Sequence, residues 1–420
     1  MNKMTCVLLA AGKGTRMKSS VPKVLHEVCE RPMIDYAINS IRHAGVGSVY
    51  VVAGHEFALV KEHLKQYRGV KIVRQKKLLG TADAVNSARS GILKEKNDVV
   101  ILYADAPLVT PQTLKELIKT HKAESASCTM LTTILKDPSG YGRIVRNADG
   151  NVVKIAEDLD ASPIEKAVEE VNVGVYCFKS GVLFKAIDKI KPQNAKKEYY
   201  LTDAISILAK NGEKIATYTT QDSDEMLGIN SRVDLAKAGL VIRSRFLKSL
   251  MESGVTVFDP NLVCINPTAK IGRDTVIYPF TVIEKNVVIG KNCSVGPFCR
   301  LRPGTVLDDN VEVGNFLEIS RSHIKSFAKV KHQSFIGDTT VGKNVNIGAG
   351  TIVANYDGKN KNKTYIDDGA FIGSGTILIA PVKIGKKAIT GAGAVVTKGK
   401  HVPPGAVVIG VPARRIKKTK

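Results

Sequence analysis

The chain's 420 residues are long enough for two or three domains with sizeable cores, and 44% hydrophobic with 24% charged residues is the balance of a folded globular protein. The formal charge of +23 is divided almost evenly between the two halves. A diffuse excess of this kind is first a solvated surface, next an attraction for anionic small molecules, and no nucleic-acid motif or stacking aromatics accompany it. No apolar run reaches the 18 residues of a membrane helix, so no integral membrane segment is expected. Seven cysteines, an odd number without Cys-x-x-Cys spacing, argue against a disulfide framework and a structural zinc, and suit a cytoplasmic protein with reduced thiols.

In chain order, Cys6–Ala11, Ser48–Ala53, Val70–Arg74 and Asp98–Tyr103 read as buried strands, and Met33–His43, Phe57–Gln66, Thr81–Ile92 and Pro111–Lys122 as the helices between and after them. This alternation predicts an α/β domain over 1–228 with a parallel sheet covered on both faces. Ligands of such sheets lie beyond the carboxyl ends of the strands. There stands Leu9-Ala10-Ala11-Gly12-Lys13-Gly14-Thr15-Arg16-Met17, whose small residues let backbone N–H groups approach an anion while Lys13 and Arg16 add charge. The spacing is neither a dinucleotide fingerprint nor a Walker loop. Lys23, in Val21-Pro22-Lys23-Val24-Leu25, brings a further cation. Asp105 stands just past the end of the fourth strand, after Ala104. Arg232 to Glu252 reads as one amphipathic helix, so 229–252 is a helical linker.

From 253 to 420 the texture is a repeat. Every sixth residue from Ile265 is aliphatic through Ile319, a run of ten. After one-residue slips the hexad is expected to resume at Phe335, Val341, Ile347 and Val353, and again at Ile366, Ile372, Leu378 and Ile384. A period of six fits neither helix nor simple strand; it marks a parallel β-helix with the aliphatics pointing inward. Glycine often follows the aliphatic, as at Gly272, Gly290 and Gly314, and is expected to serve the corner. Asn355–Thr364 interrupts the hexad with ten polar residues and is expected to be a loop thrown out from the helix, more as a functional lid than as decoration.

Leu9–Met17, then Pro22-Lys23-Val24-Leu25-His26-Glu27-Val28 and Pro32-Met33, resemble the signature of bacterial sugar-1-phosphate nucleotidyltransferases. With the hexapeptide half, the chain resembles end to end the bifunctional N-acetylglucosamine-1-phosphate uridylyltransferases and glucosamine-1-phosphate acetyltransferases. The resemblance implies a Rossmann-like nucleotidyltransferase domain followed by a left-handed β-helix acetyltransferase domain, Mg²⁺ as cofactor, acetyl-CoA as co-substrate, and a cytoplasmic homotrimer with active sites between subunits. It implies that Leu9, Ala10, Ala11, Gly12, Gln75, Gly80 and Thr81 hold UTP, with Gln75 on the uracil edge and Lys23 and Arg16 on the phosphates. Asp105, in Tyr103-Ala104-Asp105, and Asn230 would bind the metal, Gly142, Glu157 and Asn172 would hold the sugar and its N-acetyl group, and Tyr103 would be a further substrate-binding residue. On the β-helix it implies His332 as base, Arg302 on the phosphate of glucosamine-1-phosphate, and Asn346, Ala349, Asn355, Tyr356, Ser374 and Ala392 around substrate and acetyl-CoA. Glu318 would orient the His332 imidazole. Lys361 and the acid-free C-terminus would face the coenzyme's phosphates.

The sequence departs from that pattern in both halves. Leu78-Leu79-Gly80-Thr81-Ala82-Asp83 replaces Gln-Leu-Gly-Thr-Gly-His, and Ala104 replaces a glycine. Ser320 stands for a lysine, Phe335 for a tyrosine, and Gly410 near where the pattern has an arginine. These changes keep open an alternative: a monofunctional nucleotidyltransferase whose β-helix only trimerises the protein or acylates another acceptor.

Overall fold

A computed structural model describes residues 4–416; of the acid-free C-terminal stretch, residues 417–420 lie outside the described residues. The chain divides into two compact units, Met1–Val241 and Ile242–Lys420.

In the first unit, nine strands form one sheet: β1 (Met4–Ala10), β2 (Ser48–Ala53), β3 (Val70–Arg74), β4 (Asp98–Tyr103), β5 (Cys128–Ile134), β6 (Arg143–Arg146), β7 (Val152–Ala156), β8 (Glu170–Phe178) and β9 (Ile215–Thr219). Their order is β9-β5-β8-β4-β1-β2-β3, with β6 and β7 as an antiparallel flap beside β8. Strands β1 to β4 pair in parallel. The sheet is mixed, however: β8 runs antiparallel to both β4 and β5. Consecutive residues of β1 feed two separate cores, as a sheet covered on both faces requires. Val7 and Leu9 pack with Ala84, Val85, Ile92 and Leu183, whereas Cys6, Leu8 and Ala10 pack with Ile34, Ile38, Leu114 and Leu117. The helix expected over Thr81–Ile92 is two, Thr81–Ser87 and Arg89–Glu95, meeting at Ala88. Gly91 lies so close to Tyr50 that a Cβ there would fall 2.4 Å from the ring.

In the second unit, short strands stack in three files, giving each coil three faces. Val276 pairs Ser294, Val282 pairs Arg300 and Val288 pairs Val306, so one coil is 18 residues. Inward aliphatics from Ile265 to Val408 form one continuous core, closed at its start by Leu247 and Leu250 of the helix Arg232–Glu252. Two sequence expectations need correction. After the slips Ile336, not Phe335, faces inward: Ile336 is buried and Phe335 is partly exposed. Gly314 and Gly348, each after an inward aliphatic, do not serve the turn. A Cβ at Gly314 would lie 1.9 Å from the Lys331 carbonyl oxygen and one at Gly348 2.5 Å from the Ser374 nitrogen, so they permit backbones of successive coils to touch. The left-handed corner falls three residues past the aliphatic, at Asp274, Phe280, Asn286, Asn292 and Phe298.

Candidate active sites

Strands β1 and β4 lie side by side, Leu9 opposite Tyr103, and the Ala104 N–H donates to the Leu9 carbonyl at 2.9 Å. Their carboxyl ends therefore open the phosphate loop and the Asp105 turn next to each other. A cavity of about 630 Å³ lies there, lined by Leu9, Ala10, Ala11, Gly12, Arg16, Lys23, Gln75, Gly80, Thr81, Tyr103, Asp105 and Asn230. Eleven residues expected in the nucleotide or metal site, and Tyr103 with them, are thus gathered around one space.

The cavity's charge is arranged for a polyanion. Lys23, buried at 9% exposure, pairs with the Asp105 carboxylate and donates to Asn230 Oδ1 at 2.7 Å. Asn230 is brought across by the Ile229 N–H, which donates to the Asp105 carbonyl. Its own backbone N–H donates to Asp234, which also receives two bonds from Ser231 as the following helix starts. Arg16 is exposed, and no carboxylate pairs with it among the described residues. Lys196 and Glu198 also line the cavity; sequence reasoning missed them, although the polar run before Tyr199-Tyr200-Leu201 was the available signal.

Gly142 and Glu157, at one end of the flap, meet Asn172 of β8. The Asn172 N–H donates to the Gly142 carbonyl at 2.9 Å, and a Cβ on Gly142 would lie 3.5 Å from Glu157 Oε2. Glu157 accepts from Thr202 Oγ1 at 2.9 Å, and Asn172 Nδ2 donates to the Tyr176 hydroxyl at 2.7 Å. Burial pushes the Glu157 carboxyl and the Tyr103 phenol up. Asp203, another neighbour that sequence reasoning missed, is pushed up to about 6 by burial and by facing Glu157 and Asp160.

On the β-helix, Ala349, Ser374 and Ala392 stack one per coil: the Gly375 N–H donates to the Ala349 carbonyl and the Gly393 N–H to that of Ser374, each at 2.7 Å. Asn346 lies between Lys329 and Phe371 in its file. Asn355, at the mouth of the loop, donates to Asp338. Tyr356 is exposed and donates to the Gly358 carbonyl at 2.6 Å. Lys361 is bridged to Tyr356, and Asp357 pins the loop by accepting from the backbones of Lys359 and Asn360, from Asn362 and from Lys398.

One expected pairing is absent. Glu318 does not orient His332: His332 stands opposite Asn315, while Glu318 stands opposite Phe335 beyond the Phe316 corner. Glu318 accepts instead from Arg302 Nη1 at 2.8 Å. The His332 ring is exposed and has no partner among the described residues. Ser320 is buried, and Arg321 Nη1 donates to its hydroxyl at 2.8 Å while the rest of that guanidinium grips Asp338.

An α/β sheet with a phosphate loop beside a lysine–carboxylate pair, and a coil of hexapeptides, define a nucleotidyltransferase joined to an acyltransferase. The nucleotidyl transferase family matches residues 5–226, and the bacterial transferase hexapeptide family matches 268–303, 286–321 and 363–398. The chain is 44% identical to bifunctional protein GlmU of Heliobacterium modesticaldum over 97% of its own length and 96% of that protein. It is 44% identical to the one of Thermosipho melanesiensis (97% and 94% covered) and 41% identical to the one of Geobacillus thermodenitrificans (100% and 97%). A crystal structure of UDP-glucose pyrophosphorylase complexed with UDP-glucose matches 58% of the chain at 19% identity, with a TM-score of 0.49. The chain belongs to the bifunctional GlmU family.

Proposed function

We propose that the chain makes UDP-N-acetylglucosamine in two steps. The β-helix unit moves the acetyl group of acetyl-CoA to the amine of glucosamine-1-phosphate; the α/β unit joins N-acetylglucosamine-1-phosphate to the uridylyl group of UTP and releases pyrophosphate. The observation that carries the reading is the Lys23 ammonium held between Asp105 and Asn230 at the floor of the phosphate-loop cavity, in a chain matched end to end by bifunctional relatives.

In this reading residues 1–228 form the uridylyltransferase, 229–252 the connector and 253–420 the acetyltransferase. Leu9 to Gly12, Gln75, Gly80 and Thr81 seat the nucleotide. Arg16 and Lys23 neutralise phosphate oxygens, Gly142, Glu157 and Asn172 seat the sugar, and Tyr103 adds a further substrate contact. The attacking group is the sugar phosphate itself, so positioning and charge neutralisation suffice and no covalent enzyme intermediate is needed. The oxygens of Asp105 and Asn230 fit Mg²⁺: both are hard donors, both already hold a cation, and magnesium commonly takes only one or two protein ligands beside water and substrate phosphates. When bound, such an ion offsets the charge that gathers on the reacting phosphate.

In the second unit His332 takes the proton of the attacking amine, and Arg302, steadied by Glu318, holds the acceptor's phosphate. Asn346, Ala349, Asn355, Tyr356, Ser374 and Ala392 line the acetyl-CoA path. An exposed His332 is a base in want of a wall. A homotrimer supplies one from the neighbouring subunit, and the stacked, exposed Phe280, Phe298 and Phe316 (ring centroids 4.7 and 5.1 Å apart) favour such burial. The setting is the cytoplasm, and the product a precursor of bacterial cell-wall polymers. Two assays test the reading: pyrophosphate release from UTP plus N-acetylglucosamine-1-phosphate, and free thiol release from acetyl-CoA plus glucosamine-1-phosphate. Activity in the first with none in the second eliminates the bifunctional function.

A further inference from the structure

Gln75 is 4% exposed and lines the cavity of the α/β unit. Its side-chain amide nitrogen donates to the Gly80 carbonyl at 3.2 Å and to Asp83 Oδ2 at 2.7 Å. An amide can be turned over to exchange its oxygen for its nitrogen, and only its partners decide which way it lies. A backbone carbonyl and a carboxylate both accept and cannot donate. The NH₂ group is therefore committed to them, and Oε1 is left as the group without a partner among the described residues. Gly80 lines the same cavity, and its N–H has no partner among the described residues either.

We infer that Asp83 sets the base specificity of the nucleotide site: by fixing the Gln75 amide it presents a carbonyl acceptor to the base, which suits a pyrimidine bearing a ring N3–H, as uracil does, and refuses one whose N3 is itself an acceptor, as in cytosine. The inference rests on the nucleotidyltransferase reading of this unit. It gives a purpose to a position at which the sequence departs from its family's pattern. Asp83 lies in the first turn of the helix Thr81–Ser87, where a carboxylate also favours the helix dipole; that role alone would affect folding and not the choice of base. Asparagine at 83 has both a donor and an acceptor, so it can also pair with a turned-over Gln75 amide; only the longer 3.2 Å bond to the Gly80 carbonyl then opposes the turn, and the penalty on cytosine falls.

The test compares kcat/KM for UTP and CTP, with N-acetylglucosamine-1-phosphate as acceptor, in the full-length protein and its variants. Asp83→Asn is expected to shrink the UTP-over-CTP preference by about 30-fold, the scale of one mispaired buried hydrogen bond. Asp83→Glu, which keeps a carboxylate, restores most of the preference. Gln75→Leu, which removes donor and acceptor together, loses it. The inference is overturned if Asp83→Asn keeps the parent's preference, or if it lowers both nucleotides equally in step with a lower Tm. A parent protein that turns over neither nucleotide refutes the nucleotidyltransferase reading itself, a result distinct from either.

Discussion

Gly14 links the phosphate loop to Lys23 through a single close contact. Its φ is 59°, in the left-handed region, and a Cβ placed there would lie 2.6 Å from Lys23 Cβ and 3.1 Å from its Cγ. Carbon atoms pack at about 3.5–4 Å, so Gly14→Ala forces the lysine stem back by roughly 1 Å. The ammonium now 2.7 Å from Asn230 Oδ1 would move to roughly 3.7 Å, beyond hydrogen-bond reach. Alanine's own cost in the left-handed region is about 1–2 kcal/mol, or roughly 2–8 °C in Tm for a unit of this size. A misplacement of about 1 Å at a reacting centre costs on the order of 100-fold in rate, equivalent to about 2.7 kcal/mol. The expected outcome is a kcat for pyrophosphate release reduced about 100-fold, a small loss of Tm and unchanged thiol release. A kcat within about threefold of the parent would refute the claim that the glycine is there to make room for Lys23.

Asp105→Ala removes one of the two oxygens around Lys23 and is expected to abolish pyrophosphate release while thiol release persists; equal loss of both would mean that the two chemistries do not have separate sites. The Asp203 carboxyl, raised to about 6 by burial and by facing Glu157 and Asp160, is protonated more readily in the folded than in the unfolded chain, so its contribution to stability falls as pH rises from about 4 to 6. Asp203→Asn should therefore raise Tm relative to the parent at pH 7 and lose that advantage near pH 4; an equal Tm difference at both pH values would contradict the sign. Gly314→Ala drives a methyl onto the Lys331 carbonyl and should cost about 3 kcal/mol, at the upper end of ordinary overpacking, lowering the β-helix transition in calorimetry. An unchanged transition would show that adjacent coils can separate to admit it.

The β-helix was legible because its signal is local and repeated: one inward aliphatic per hexad, visible without knowing any partner. The same locality explains the errors. At the slips, Phe335 and Ile336 are both apolar neighbours, and a shift of one residue decides which faces inward. The glycines looked like turn residues, yet their purpose lies in backbone atoms one coil away, such as the Lys331 carbonyl above Gly314. In the α/β unit the phosphate loop was readable from composition and from its place after a strand. The direct pairing of Lys23 with Asp105 and Asn230 was not: they lie 82 and 207 residues away. Chemistry alone pairs Glu318 with His332, but strand register puts Phe335 opposite it and gives its carboxylate to Arg302. The antiparallel strand Glu170–Phe178 left no mark in the alternation of strands and helices, because pairing direction is set by the path of the connections rather than by residue pattern.

The most direct measurement supplies the purified protein with glucosamine-1-phosphate, acetyl-CoA, UTP and Mg²⁺ together and follows the products by mass spectrometry. UDP-N-acetylglucosamine, formed in step with free coenzyme A and pyrophosphate, is the predicted result. Formation of a uridylylated sugar without release of coenzyme A, or of neither product, would contradict the account.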